Sequence, residues 1–161
     1  MPYTKKLKSK PAHEFPAMFQ EAISHSRRKG ALRTLLMSHE FQDAAQYANQ
    51  SFDDIFLHFH TLCYVPKTIG LLCIYDISAA ICRHNNINID HIFIIGKGPQ
   101  RAVRLLGLKP KKHTIGDIVL NYVEIKDVVA AFQKHGYTLD LSTKNGDEFE
   151  SYLCKWQKNI K

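Results

Sequence analysis

The segment 97–112 combines six basic side chains with no acidic one. The segment comes just after an apolar run, Ile92–Ile95, and begins within a glycine-rich turn, Gly96–Pro99. The N-terminus of a helix presents unpaired backbone N–H groups, so a turn that leads cations into a helix suits phosphate or another anion. The basic residues are Lys97, Arg101, Arg104, Lys109, Lys111 and Lys112. Together with the backbone of Gly98, this pattern predicts an anion-binding surface, and it specifies no reaction.

Asp76 is the best acid–base candidate in the chain. It lies beside Tyr75 within the apolar segment 71–83. A buried carboxylate is unfavourable unless it is hydrogen-bonded, so we expect Asp76 to orient the loop 92–99 or to sit in a pocket. Orientation of the loop is the favoured interpretation, and general-base catalysis is the alternative. Whether the chain is an enzyme stays open, and a non-catalytic protein is favoured.

Other residue types that bind metals or act as nucleophiles lack the spacing of known sites. His58 and His60 are two residues apart and face different directions on a helix, whereas His84 and His91 flank an Asn-rich turn and could approach each other. The four cysteines include no CxxC pair and lie in apolar surroundings, which favours buried, reduced thiols. The turn 96–98 has neither Walker nor Rossmann spacing. We therefore predict no metal site and no cofactor.

Two aromatic residues, Tyr152 and Trp156, stand near the basic C-terminal end and could stack on nucleobases. Phe149 and Leu153 share the helical face of Trp156. This spacing favours packing of Trp156 into the core over base stacking.

The composition indicates a globular, basic protein. Among 161 residues, 45% are hydrophobic and 23% charged, a balance that excludes disorder for the chain as a whole. The net charge of +7 favours an anionic partner such as nucleic acid, an acidic protein or an anionic membrane. A basic, flexible arm is expected over 1–10, and one domain over 11–161. Neither a signal core nor a membrane-spanning run is present, so we expect no membrane partner and a cytoplasmic location.

Apolar spacing predicts that helices carry these residues. Helices are expected over 52–63 and 71–84, and a short basic helix from Pro99 to Gly107. A long amphipathic helix is expected between Asp117 and Gly136, and a last one begins at Gly146 or Asp147. Residues 91–95 are compatible with a short strand or a buried extended segment. The predicted fold class is mainly α, a single-domain helical bundle.

The predicted helix pair 52–63 and 71–84, with the tight turn between them, resembles a helix-hairpin-helix element. The usual turn of that element reads hydrophobic-x-Gly-hydrophobic-Gly, and Val65, Ile69 and Gly70 fit it, while Thr68 replaces the first glycine. The resemblance implies non-specific DNA binding through backbone N–H groups at Thr68 and Gly70, with Lys67 adding charge. The β-branched Thr68 disfavours a positive φ at its position.

The following segment is similar to helix-hairpin-helix DNA glycosylases. Residues Gly96–Arg101 lead to Leu106-Gly107-Leu108 with similar spacing, and Arg101 falls where that family often has an arginine. Gly96 stands where its catalytic aspartate belongs, and Leu72 where the lyase branch has a lysine. Glycine and leucine can neither stabilise a cationic sugar nor form a Schiff base. The resemblance, over residues 52–108, therefore implies the architecture without the catalysis.

A second resemblance is to an uncharacterised bacterial protein family. Its landmarks match Tyr75–Ala79, Leu105–Leu108 and Leu153–Trp156, over about residues 65–158. This resemblance implies no activity.

Three functional hypotheses follow. The first is sequence-independent binding of nucleic acid, DNA foremost, by a non-catalytic protein. The second is an enzyme that acts on a nucleobase or a small anion beside Asp76. The third is an interaction or regulatory protein that holds an acidic partner against the basic surface.

Overall fold

The computed structural model describes residues 44–64, 70–139, 141 and 143–160. These residues divide between Ile87 and Asn88 into two compact units. The predicted arm 1–10 lies outside the described residues, and the single domain over 11–161 stays a prediction.

Within the described residues, the first unit contains two packed α-helices. A 3-10 turn, Ala44–Tyr47, precedes α1 (Phe52–Cys63) and α2 (Leu71–His84). Helix α1 begins with a capping box, in which the Ser51 hydroxyl accepts from the Asp54 N–H and the Asp54 carboxylate accepts from the Ser51 N–H. Phe52 of α1 packs against Tyr75 of α2, with ring centroids 5.8 Å apart. Both predicted helices are confirmed.

Helix α2 is buried along most of its length. Its polar Ser78 is fully buried, and its hydroxyl donates a 2.7 Å hydrogen bond to the Ile74 carbonyl. That bond satisfies the hydroxyl and allows the helix to remain among apolar neighbours.

The second unit combines three helices with a small antiparallel sheet. Its elements are β1 (His91–Phe93), α3 (Lys97–Leu105), β2 (Lys111–Ile115), β3 (Ile118–Glu124), α4 (Ile125–Lys134) and α5 (Gly146–Lys158). The strand order is β1-β3-β2. In the register, Ile92 pairs with Val123, and His113 pairs with Leu120.

The core of the second unit lies between one face of the sheet and the three helices. Ile92 and Val123, paired on adjacent strands, contribute the sheet side. The helical side comprises Ala102, Val103, Leu106, Val128, Ala131, Phe132, Phe149 and Leu153. The core holds α3 by its apolar side, so the polar side of this helix faces solvent.

The predicted fold class is wrong, because the described residues include a three-stranded antiparallel sheet as well as five α-helices. The helix expected from Asp117 to Gly136 is instead β3 followed by α4. Residues 115–118 form the turn of a β-hairpin, in which Gly116 has a φ of +59°. A two-residue Gly-Asp connection is a hairpin signal, and β-branched Ile118, Val119 and Val123 favour a strand.

Other boundaries agree with the predictions. The basic helix is confirmed, although it begins two residues before Pro99. The last helix begins at Gly146, and the segment 91–95 contains a strand. Among the helices of the described residues, none is both long enough and apolar enough to cross a membrane.

Candidate nucleic-acid interface

Helix α3 turns an apolar side to the core and a basic side to solvent. Pro99, Ala102 and Val103 are buried, whereas Lys97 and Arg104 are exposed. Lys97 and Arg104 are seven residues apart, which places them two turns apart on the same side of a helix. The first turn of α3 contains no acidic residue. The helix therefore offers two cations on one accessible side without an acidic neighbour in that turn.

The beginning of α3 also lacks a capping side chain. Its N-cap, Gly96, is extended (φ −84°, ψ 166°) and makes no side-chain hydrogen bond to the first turn. By contrast, α5 is capped by the Asn145 side chain, which accepts from the Asp147 N–H at 3.1 Å. Pro99 has no N–H, so the first turn offers the amides of Lys97 and Gly98, and these amides and the helix dipole both favour an anion.

Helix α2 begins in the same way. Gly70 is an extended N-cap (φ −89°, ψ −176°) without a side-chain hydrogen bond, and no acidic residue lies in the first turn. The predicted phosphate contacts at Lys67 and Thr68 lie outside the described residues. Of the predicted hairpin turn, the structure therefore describes Gly70 alone.

Arg101 is half-buried and interacts with the end of α5. Its Nη1 donates to the carbonyl of Gln157 and, at 2.8 Å, to the Oε1 of the same residue. Its Nη2 donates to the Ile160 carbonyl at 2.8 Å. The last carbonyls of a helix lack intrahelical partners, and a guanidinium satisfies several of them at once. Arg101, one of the residues predicted to bind an anion, thus joins α3 to α5.

Gly98 is a packing residue at the contact between α3 and α5. A Cβ at this position would lie 2.7 Å from the Cys154 Sγ and 3.6 Å from the Cys154 Cα. Such a distance to sulfur is shorter than real Cβ contacts, so a larger residue here would force the Cys154 side chain to move.

The two predicted lysines of β2 have different surroundings. The Lys111 Nζ lies 3.2 Å from the Glu124 Oε2, and Lys126 lies 3.4 Å from the same oxygen. The hydrogen bond from Lys111, followed by that from Lys126, lowers the pKa of Glu124, and the same bond raises the pKa of Lys111. Lys112 is exposed on the opposite face of the strand and pairs in register with exposed Asn121. Lys112 is the better placed of the two to meet an external anion.

Asp76 is half-buried between Tyr75 and Ile77, which are both buried. It already interacts with another group. A general-base function for Asp76 stays a prediction. Within the described parts of the chain, no group of three or more His, Cys, Asp or Glu side chains is arranged to hold a metal ion.

Sequence patterns missed an aromatic residue at the surface of the second unit. Tyr137, just after α4, is 42% exposed, and its ring lies 5.3 Å from that of Trp156. Trp156 packs against the core and is half-buried, in agreement with the favoured interpretation. The sequence signal that could have identified it is a tyrosine directly after Lys134–Gly136, the end of the predicted helix.

Comparison of the chain with protein-family models, with curated proteins and with solved structures finds no match. The interpretation of the basic surface therefore depends on the charge, exposure and hydrogen bonds of its residues.

Proposed function

We propose that the chain binds nucleic acid, DNA foremost, through phosphates and without sequence preference, and that it does so without catalysis. The observation that carries this proposal is the exposed, acid-free side of α3, where Lys97 and Arg104 accompany an uncapped helix N-terminus. Contacts to phosphate fix a protein on nucleic acid but read no sequence. A surface of cations and backbone amides therefore suits sequence-independent binding.

The segment after α3 supports the same proposal. Lys109 and Lys112 are exposed, so the segment directly after the helix adds two more accessible cations. Net charge of +7 adds long-range attraction toward a polyanion. Arg101 and Gly98 support the surface indirectly, since they hold α3 against α5.

The resemblance to a helix-hairpin-helix element is a further, separate part of the proposal. It would assign phosphate contacts to the amides at the start of α2, near Gly70. The uncapped beginning of α2 supports that assignment. A cytoplasmic location belongs to the same proposal, since reduced thiols are usual in that compartment.

A charge-matched pair of double variants tests the proposal. Lys97→Ala/Arg104→Ala removes two cations from the exposed side of α3, and Lys126→Ala/Lys144→Ala removes two exposed lysines from elsewhere in the second unit. We expect the first variant to weaken binding to duplex DNA equally for unrelated sequences, and to lower the log–log salt slope by about 1 for each lost contact. Fluorescence anisotropy with two labelled duplexes of unrelated sequence measures both quantities.

The control variant should retain nearly all of the affinity at the same ionic strength. An equal loss in both double variants would mean that net charge alone attracts DNA, and the proposed surface would then be wrong. A loss confined to one of the two duplex sequences would contradict sequence-independent binding.

A further inference from the structure

Four aromatic rings meet where α4 ends beside α5. Phe132 is fully buried and lies 5.0 Å from Trp156 and 6.0 Å from Tyr152, measured between ring centroids. Tyr137 lies 5.9 Å from Phe132 and 5.3 Å from Trp156. Tyr152 and Trp156 are half-buried, and Tyr137 is 42% exposed. The cluster therefore continues from the core to the surface.

The backbone holds Tyr137 at the outer edge of this cluster. Gly136 adopts a φ of +74°, which ends α4 in the left-handed conformation that glycine favours. The Tyr137 N–H then donates a 2.9 Å hydrogen bond to the Phe132 carbonyl. A ring anchored in this way is preorganised, so a ligand that covers it loses little conformational entropy.

The rings of the cluster meet edge to face. The planes of Tyr137 and Trp156 are inclined by 75°, and those of Tyr137 and Phe132 by 70°. The exposed His135 ring is 6.2 Å away and tilted by 31°. These contacts support the Tyr137 ring without face-to-face stacking at close range, which leaves aromatic surface for a planar ligand.

Charge near the cluster favours an anionic planar ligand. The acids of helix α5, Asp147, Glu148 and Glu150, lie toward its beginning, whereas its cations, Lys155 and Lys158, lie in the last turn on either side of Trp156. Lys134, also exposed, lies in the last turn of α4, three residues before Tyr137. Cations repel a methylated ammonium ligand and attract a phosphate, and an aromatic ring stacks on a nucleobase.

We infer that Tyr137, supported by Trp156, stacks on an unpaired base of single-stranded nucleic acid. This inference rests on the proposed function and specifies that the nucleic acid is single-stranded. Bases in a duplex are already stacked on each other, whereas bases in a single strand have accessible faces. The chain should therefore bind a single strand more tightly than its phosphate contacts alone allow.

The test measures binding of the full chain to two polyanions, an oligothymidylate and inorganic polyphosphate of similar charge. Tyr137→Ala should weaken oligothymidylate binding by about 5-fold to 160-fold, because stacking on one aromatic ring is worth roughly 1–3 kcal/mol. Polyphosphate has no bases, so its affinity should not change. Tyr137→Phe keeps the ring and should bind both ligands as the unmodified chain does.

Tyr64→Ala provides a matched control, because Tyr64 is a similarly exposed tyrosine, at 39%, in the first unit. Equal oligothymidylate affinity for Tyr137→Ala and the unmodified chain would overturn base stacking, even if the salt-dependent phosphate binding remains. A parallel loss of polyphosphate binding in Tyr137→Ala would also overturn it. If the unmodified chain binds neither polyanion, the proposed function itself fails.

Discussion

At the scale of single residues, Arg101 shows how one side chain can belong to a basic pattern and yet serve packing. Its position in sequence groups it with Lys97 and Arg104. Its guanidinium nevertheless donates to Gln157 and Ile160, at the far end of another helix. An arginine that satisfies helix-terminal carbonyls stabilises the fold, and its charge is partly used within the protein.

Arg101→Ala should lower the free energy of unfolding of the second unit by roughly 2–3 kcal/mol, since it removes charge-assisted hydrogen bonds and leaves half-buried acceptors unpaired. Arg101→Lys should restore little, because an ammonium lacks the planar fork of a guanidinium. Urea unfolding followed by Trp156 fluorescence measures this change, and Trp156, the sole tryptophan, lies next to Gln157.

Exposed Arg104 provides the control on the same helix. Arg104→Ala should change the free energy of unfolding by less than about 0.5 kcal/mol. Similar unfolding curves for Arg101→Ala and Arg104→Ala would refute the stabilising function of Arg101.

At the scale of elements, the β2–β3 hairpin and the start of α4 form one electrostatic junction. Glu124 ends β3 and is the N-cap of α4, and Lys111 of β2 and Lys126 of α4 both lie close to its carboxylate. The junction links a strand pair to a helix through a single acidic residue. Its stability should consequently depend on the charge of Glu124.

Acidification should weaken this junction. Hydrogen bonds from Lys111 and Lys126 lower the pKa of Glu124 below its ordinary value of 4.5. A carboxylate with a lowered folded-state pKa stabilises the fold fully above its unfolded-state pKa, and this stabilisation is lost as the pH falls through the folded-state value. Urea midpoints recorded from pH 6 to pH 3 should therefore fall less steeply for Glu124→Gln than for the unmodified chain.

Glu148→Gln is a suitable comparison, because Glu148 is an exposed acid in the first turn of α5 and belongs to neither the hairpin nor α4. Its pH profile should follow that of the unmodified chain more closely than the profile of Glu124→Gln does. Identical profiles for both variants would contradict a specific contribution from the junction.

The hairpin turn has its own requirement. Gly116 has a φ of +59°, a backbone conformation that is unfavourable for side chains other than glycine. Gly116→Ala should therefore destabilise the second unit by roughly 1–2 kcal/mol. Thermal unfolding of this variant beside Thr114→Ala, an exposed change in the neighbouring strand, measures the effect. Equal stability of the two variants would argue against a strained turn.

At the scale of the whole molecule, the excess of basic residues favours polyanions over compact acidic ligands. The charge of +7 belongs to the whole chain, and four exposed cations, Lys97, Arg104, Lys109 and Lys112, lie within the segment 97–112. A linear array of phosphates can engage several of these cations together. An acidic protein would need a matching spatial arrangement of carboxylates.

Salt titration distinguishes these partners. If the four exposed cations each contact one phosphate, the affinity for duplex DNA should fall with a log–log slope of roughly −3 to −4, because each contact contributes about −0.9. Anisotropy titrations across a series of salt concentrations measure this slope. An affinity that stays flat from low to moderate salt would contradict phosphate binding, and tighter binding to polyglutamate than to DNA would select the acidic-partner hypothesis.

The sequence by itself determined the helices whose apolar spacing is regular. α1, α2 and α5 follow their predicted positions because the burial of one side of a helix leaves a local period in the chain. It also located the basic segment 97–112, since clustering of charge along the chain needs no tertiary information.

Only the tertiary structure decided the sheet and the function of individual cations. β3 pairs with β1, about thirty residues away. It buries Leu120 and Val123, which lie on opposite faces of the strand, and their spacing of three residues imitates a helix. Arg101 meets partners 56 and 59 positions further along the chain. Contacts between residues so far apart produce no periodic pattern in the sequence. Only the structure therefore distinguishes Arg101, which packs against α5, from the exposed cations Lys97 and Arg104.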